Sequence, residues 1–183
     1  MNAFPTIYKT VNRTTEYSNQ FFFISEGKTN ITKTVQFTYA LDFQEKQVFN
    51  LAFGDYDPNT DSIIDDLISN NGDPYKVFNT ILGAIQQFFS VRKDAMIMVF
   101  GSDSTLEFQH NCFFSCKKEC LPTECKNAHR RINIYRRYVN KNLDSLTKDY
   151  EFFGGSLNNE NQLFIEPYIK DKIYLSILVR KLS

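Results

Sequence analysis

Ile31-Thr32-Lys33-Thr34-Val35-Gln36-Phe37-Thr38-Tyr39 alternates between two kinds of side chain along its whole length. A period of two places Ile31, Lys33, Val35, Phe37 and Tyr39 on one face and Thr32, Thr34, Gln36 and Thr38 on the other. That is a strand with one face on a core. Upstream, the aromatic-rich Tyr17–Ser25 reads as a second strand ended by Glu26-Gly27-Lys28. Downstream, Gln47–Phe53 reads as a third, with Gly54 opening a loop, and Ser62–Ser69 is a candidate fourth. Short connections between such strands favour an antiparallel meander.

The period changes after Asn71-Gly72-Asp73-Pro74. Asp73 is the expected helix N-cap and Pro74 the first helical residue. Val77, Phe78, Ile81, Leu82, Ile85, Phe88 and Phe89 then recur at helical spacing, which makes one broad apolar face. Ala95–Phe100 reads as a buried strand ending at Gly101-Ser102. Ala128–Leu146 reads as a second helix with Ile132, Tyr135, Val139 and Leu143 as its apolar stripe. Tyr150–Phe153, Leu163–Ile165 and Tyr174–Arg180 are the closing strands. The expectation is an α+β fold: a twisted, mainly antiparallel sheet of seven or eight strands with two helices packed on it. It is read as a single domain over residues 1–183, with a small Cys/His-rich knuckle inserted at 108–129.

The composition is that of a globular chain, with 42% apolar residues, 18 Phe, 10 Tyr and few Gly or Pro. Met1–Thr15 lacks the apolar run of a signal peptide. Ala95–Phe100 and Ile173–Val179 are too short to span a bilayer. The expected location is cytoplasmic, without a membrane partner. The formal net charge of zero conceals a split. Residues 41–75 carry eight acids against Lys46, and residues 117–141 carry eight bases against Glu119 and Glu124. Such a split creates local fields in a neutral molecule.

All four cysteines, Cys112, Cys116, Cys120 and Cys125, fall in one window, bracketed by the only two histidines, His110 and His129. Zinc takes four nitrogen or sulfur ligands in a tetrahedron, and a short loop has little apolar surface with which to order itself. A structural zinc is the cofactor this window implies, and no other is expected. Two disulfides and free thiols stay open as alternatives, because the paired Cys-x2-Cys spacing of common knuckles is absent. A cysteine nucleophile lacks an orienting third group.

Three further stretches have a functional and an ordinary reading. Asp55-Tyr56-Asp57-Pro58-Asn59-Thr60-Asp61, with Asp66 following, imitates a calcium loop but has Thr60 where the EF-hand needs Gly. A hairpin turn is the preferred reading. Val99-Phe100-Gly101-Ser102 has the opening of a nucleotidyltransferase site without the paired carboxylates downstream, so a strand-ending turn is preferred. Arg130–Lys141 is the best binding candidate. Arg130, Arg137 and Lys141 share one helix face opposite the apolar stripe, and Arg131, Arg136 and Tyr135 accompany them. The competing reading is a solvated helix surface.

Several phrases together resemble a family of small, mainly bacterial proteins known only as a domain of unknown function. They are Lys33-Thr34-Val35-Gln36-Phe37, Phe49-Asn50-Leu51-Ala52-Phe53-Gly54-Asp55, Asp65-Asp66, Asn70-Asn71-Gly72-Asp73 and Lys76-Val77. Gly101-Ser102, Arg131 with Tyr135 and Asn140, and Val179-Arg180-Lys181 continue the pattern, so the resemblance spans residues 20–181. Family members run from the Gly-Ser directly into an Arg-rich helix, which makes the cysteine window an insertion. The resemblance implies that Gly101-Ser102 and Arg131 lie side by side, with Asn71 and Asp73 nearby. It carries no activity. It associates the chain with toxin–antitoxin or phage-defence gene pairs by likeness alone.

The function expected is a binding component that engages RNA or an acidic protein partner through the basic helix. The alternatives are a metal-independent ribonuclease-like toxin using Ser102, Arg131 and Tyr135, and a structural protein that pairs with a second copy as a homodimer.

Overall fold

The computed structural model describes residues 6–64, 71–116, 118, 120–121, 125–157 and 162–182. Nine strands and three α-helices lie among them, joined by one 3-10 turn at Ser102–Ser104. The chain divides into two compact units, Met1–Ala95 and Met96–Ser183. Every strand pairing within each unit is antiparallel, so the α+β class expected from the patterning holds. No helix among the described residues is long and apolar enough to cross a membrane.

The first unit is the meander plus one helix. Its strands are β1 (Val11–Thr14), β2 (Ser18–Ser25), β3 (Ile31–Phe43), β4 (Lys46–Asp57) and β5 (Ser62–Ile64), each paired with the next. β1 has no apolar alternation, so its pattern alone predicts no strand. β3 and β4 run further than their alternating cores, because a two-residue turn joins them. Gln44 and Glu45 both take positive φ, 50° and 60°, the geometry that suits strand twist in a tight hairpin. Gly54 does not open a loop. It sits inside β4, where a Cβ would come within 2.5 Å of the Ile64 carbonyl oxygen. The absence of a side chain is what lets β5 approach. Residues 65–69 of the fourth expected strand lie outside the described residues.

Lys33, Val35 and Phe37 are buried on one face of β3, as the period predicts. Helix α1 (Pro74–Val91) buries Thr80, Ala84, Phe88 and Phe89. The Phe88 ring stacks on Phe37 at 4.4 Å and meets Phe49 edge-on at 5.3 Å. Thr80 and Ala84 are the close-packed seam, and the larger Val77, Phe78, Ile81 and Ile85 flank it half-buried. Asp73 occupies the N-cap position, but its carboxylate makes no capping bond. It accepts instead from the Tyr8 and Ser25 hydroxyls, both at 2.7 Å. Burial raises the Asp73 pKa; these two donors outweigh it and hold the carboxyl below its ordinary range. Asn71 donates to the Ser25 hydroxyl at 2.9 Å. Lys33 forms an ion pair with Asp55, its cross-strand neighbour, with little solvent access to either side chain. The three phrases around Lys33, Asp55 and Asn71–Asp73 thus act as a structural network in this unit.

The second unit pairs β6 (Met96–Phe100) with β9 (Ser176–Lys181), β9 with β7 (Tyr150–Leu157), and β7 with β8 (Leu163–Pro167). Helices α2 (Leu106–Ser115) and α3 (Arg130–Leu146) belong to it. α3 presents Ile132 and Val139 to Ile177 of β9, with Tyr135, Leu143, Val99 and Phe152 packed around them. The predicted apolar stripe is the one buried. Tyr174 is fully buried just before β9. Gly154 makes this geometry, since a Cβ there would lie 2.2 Å from the Tyr174 ring. Where the cysteine window predicts a cross-linked loop, α2 forms from a start capped by Thr105.

Candidate metal centre

α2 starts at Thr105, whose hydroxyl accepts the Phe108 backbone N–H at 3.0 Å. Cys112 and Cys116 are four residues apart at its C-terminal end, so both thiols leave the same side of the helix. The chain then turns, and Cys120, which is buried, and Cys125 close on them. The Sγ atoms of Cys112, Cys120 and Cys125 lie within 4.8 Å of one another, and Cys116 Sγ is 3.4 Å from Cys120 Sγ. A tetrahedral zinc with Zn–S of about 2.3 Å needs S···S distances of roughly 3.8 Å. Cys112, Cys120 and Cys125 form a grouping of that size, and Cys116 adjoins it through Cys120.

Their surroundings suit thiolates. The Lys118 backbone N–H points at Cys116 Sγ at 3.4 Å and the Lys126 backbone N–H at Cys120 Sγ at 3.2 Å. The Asn127 side-chain amide donates to both Cys112 and Cys116, at 3.3 and 3.2 Å. Donors of this kind orient and stabilise metal-bound sulfur. The Lys118 N–H, then the Cys120 thiol, hold the Cys116 thiol below its ordinary range. At Cys112 the Asn127 amide lowers the pKa, but the Cys125 thiol and burial prevail and raise it. Asn127 was missed from the sequence, where an amide between Cys125 and His129 has no distinguishing pattern.

The histidines are placed elsewhere. Among the described residues the metal-sized grouping is of thiols, without His110 or His129. His110 precedes Cys112 by two residues, which on a helix points it away; its exposed ring meets Phe114 at 4.9 Å. His129 has φ of 60° and serves as the left-handed junction into α3.

That junction ties the knuckle to the basic helix. Asp103, in the 3-10 turn after β6, is buried. Its Oδ2 accepts the Arg131 backbone N–H at 3.0 Å, and its carbonyl accepts the His129 backbone N–H at 3.2 Å. The N-cap residue His129 makes no side-chain cap, so Asp103 satisfies the helix start from a distance in sequence. The Arg131 guanidinium donates to the Ser102 hydroxyl, which places Gly101-Ser102 and Arg131 side by side. Asn71 and Asp73 are engaged with Ser25 and Tyr8 in the first unit.

Along α3, Arg130, Arg137 and Lys141 are exposed on one face together with Ile134. Arg136 is half-buried and donates to Asn133 at 2.8 Å. Tyr135 packs on the core cluster rather than standing free for stacking. The calcium-like stretch is a hairpin. Asp57 accepts from the Asn59 N–H and the Thr60 hydroxyl at 2.9 and 3.0 Å, and Asp61 pairs with Arg13 at 2.8 Å. Asp66 lies outside the described residues.

Fold and site define an antiparallel α+β protein that carries a four-thiol cluster at the foot of a basic helix. The model of the family described as "Family of unknown function (DUF6934)" matches residues 6–107, and the chain belongs to that family. The match includes the phrases from Lys33 to Ser102 and stops before the cysteine window. Arg131, Tyr135 and the closing strand lie beyond it. Neither the curated proteins nor the solved structures contain a match.

Proposed function

We propose that this protein is a non-catalytic binding component that engages RNA through the exposed face of α3. The observation that carries this reading is the alignment of Arg130, Ile134, Arg137 and Lys141 on one exposed helix face. The opposite face, Ile132 and Val139, is committed to the core, so the helix cannot turn its cations inward. Lysine and arginine on such a face neutralise phosphates and release counterions. In this reading Cys112, Cys116, Cys120 and Cys125 would hold a structural zinc that sets where α3 begins. A place in a toxin–antitoxin or phage-defence gene pair belongs to this proposal by association alone, because the matching family is of unknown function.

The ribonuclease alternative is less favoured by the geometry. Asp103, the acid beside Ser102 and Arg131, is engaged as a helix cap, and Tyr135 packs inward. The test is a filter-binding titration of RNA against salt. Substituting Arg137→Ala together with Lys141→Ala is expected to weaken binding to all sequences and to lower the salt slope by about 2. Affinity for an acidic peptide with no RNA binding would assign the face to a protein partner instead.

A further inference from the structure

Within the knuckle, Cys116 and Cys120 already stand close to bonding distance, with Sγ atoms 3.4 Å apart. A disulfide needs about 2.05 Å between sulfurs and about 3.5–4.5 Å between Cβ atoms. Cys116 is the C-cap of α2 and has extended φ and ψ of −79° and 121°. The segment that joins the pair therefore begins where helical geometry has ended, and the backbone can close the remaining gap. Cys112 and Cys116 cannot close in the same way. Side chains four residues apart on a helix have Cβ atoms about 5–6 Å apart, and bridging them would unwind the last turn of α2.

Access separates the two members of the pair. Cys116 is half-buried and Cys120 is 7% exposed. An oxidant arriving from solvent meets Cys116 first, with Cys120 behind it. Hydrogen bonds hold both sulfurs in place. The Lys118 backbone N–H and the Asn127 amide donate to Cys116, at 3.4 and 3.2 Å, and the Lys126 backbone N–H donates to Cys120 at 3.2 Å. An accessible thiol with a second thiol poised beside it is the arrangement that reversible cysteine oxidation requires.

We propose that Cys116 and Cys120 are a peroxide-oxidised pair, and that their disulfide expels the metal from the knuckle. The second half rests on the reading of the four thiols as a zinc site. Cys116 attacks one peroxide oxygen; the O–O bond breaks, hydroxide leaves and Cys116 becomes a sulfenic acid. Cys120 then attacks that sulfur; the S–S bond forms and a second hydroxide leaves. The two thiolates give up two electrons. The peroxide takes them with two protons from solvent and ends as two waters. Thiolate, not disulfide sulfur, is the metal ligand, so the zinc keeps only Cys112 and Cys125 of its four donors and departs.

The experiment treats the full zinc-loaded chain with hydrogen peroxide, without reductant, beside glutathione as a reference thiol. A chromophoric chelator follows the zinc, and a thiol reagent counts the cysteines. Two thiols and one zinc per chain should be lost together, faster than the glutathione thiol. Alkylation followed by peptide mass spectrometry should place the first link between Cys116 and Cys120 and find Cys112 and Cys125 alkylated. Dithiothreitol with added zinc should restore both counts. Cys116→Ser should abolish the fast loss of thiols. Cys112→Ser, which takes away a ligand but leaves the pair, should still form the link. A first link between any other two cysteines, or loss no faster than that of glutathione, would overturn the pair. Zinc retained by a chain that carries the link would overturn the expulsion. A chain purified without zinc that still forms the link would remove the zinc reading and leave the pair standing. Zinc bound with all four thiols intact under peroxide would do the reverse.

Discussion

Replacing Asp103 by alanine removes the carboxylate that accepts the Arg131 backbone N–H at 3.0 Å, at the start of the helix that carries the basic face. Two contributions are lost. A side-chain cap is worth about 1 kcal/mol. A carboxylate at a helix N-terminus adds about 0.3–1 kcal/mol at the surface and up to about 2 when partly buried. Asp103 is 5% exposed, so solvent screens this attraction little and the upper half of that range applies. One term works the other way. Asp103 Oδ1 is buried and has no hydrogen-bond partner among the described residues, so alanine also removes a desolvated oxygen. The bond from the His129 N–H to the Asp103 carbonyl is backbone and survives the substitution. The net expectation is a loss of about 2 kcal/mol for Asp103→Ala and about 1 kcal/mol for Asp103→Asn, which keeps an acceptor but no charge. Urea unfolding followed by circular dichroism gives the total, and amide exchange at Arg131, Ile132 and Asn133 localises it. If Asp103→Ala stays within about 0.5 kcal/mol of wild type, the spread of ordinary surface substitutions, the cap is not what holds the helix start.

Four further outcomes follow from particular contacts. Metal analysis should find one zinc per chain. Serine at any of Cys112, Cys116, Cys120 or Cys125 should lower that ratio, whereas His110→Asn and His129→Asn should not. Lys33→Met strands Asp55 in a nearly buried site and should cost about 3–5 kcal/mol, while Lys33→Met with Asp55→Leu should recover most of it; a double-mutant cycle in urea decides. Asp73 has a carboxyl depressed in the fold, so its contribution is complete above the unfolded value of about 3.9 and is lost as pH falls through the lower folded value. Asp73→Asn should therefore flatten the acid limb of the stability profile below about pH 4, and an unchanged limb would contradict the network with Tyr8 and Ser25. Gly154→Ala should destabilise the second unit by about 1–3 kcal/mol, measured by thermal unfolding, because the Tyr174 ring occupies the space a Cβ needs.

Much of the fold was legible where periodicity is strong. The alternation through Lys33, Val35 and Phe37, the helical spacing that ends in Phe88 and Phe89, and the stripe from Ile132 to Leu143 each identify an element and its buried face. What escaped was local or short. β1 is four exposed residues, paired with β2 without any apolar period. The β3–β4 turn uses Gln44 and Glu45 in a conformation that Asn-Gly normally signals. α2 has Thr105 as a legible cap, but Leu106, Phe113 and Phe114 are exposed and its apolar residues make no stripe.

The sequence by itself determined the alternating strands, the amphipathic helices, the clustering of every cysteine and the basic face of α3. These depend on spacing along the chain, and spacing is visible there. Which thiols converge was decided by tertiary structure: four sulfurs together, with both histidines turned aside by their positions on α2 and at the α3 junction. So was the fate of Asp73, which leaves its capping position to accept from Tyr8 and Ser25. So was the role of Asp103, which caps α3 from the other side of the cysteine window. In each case the partner is remote in sequence, and only folding brings donor and acceptor within hydrogen-bonding distance.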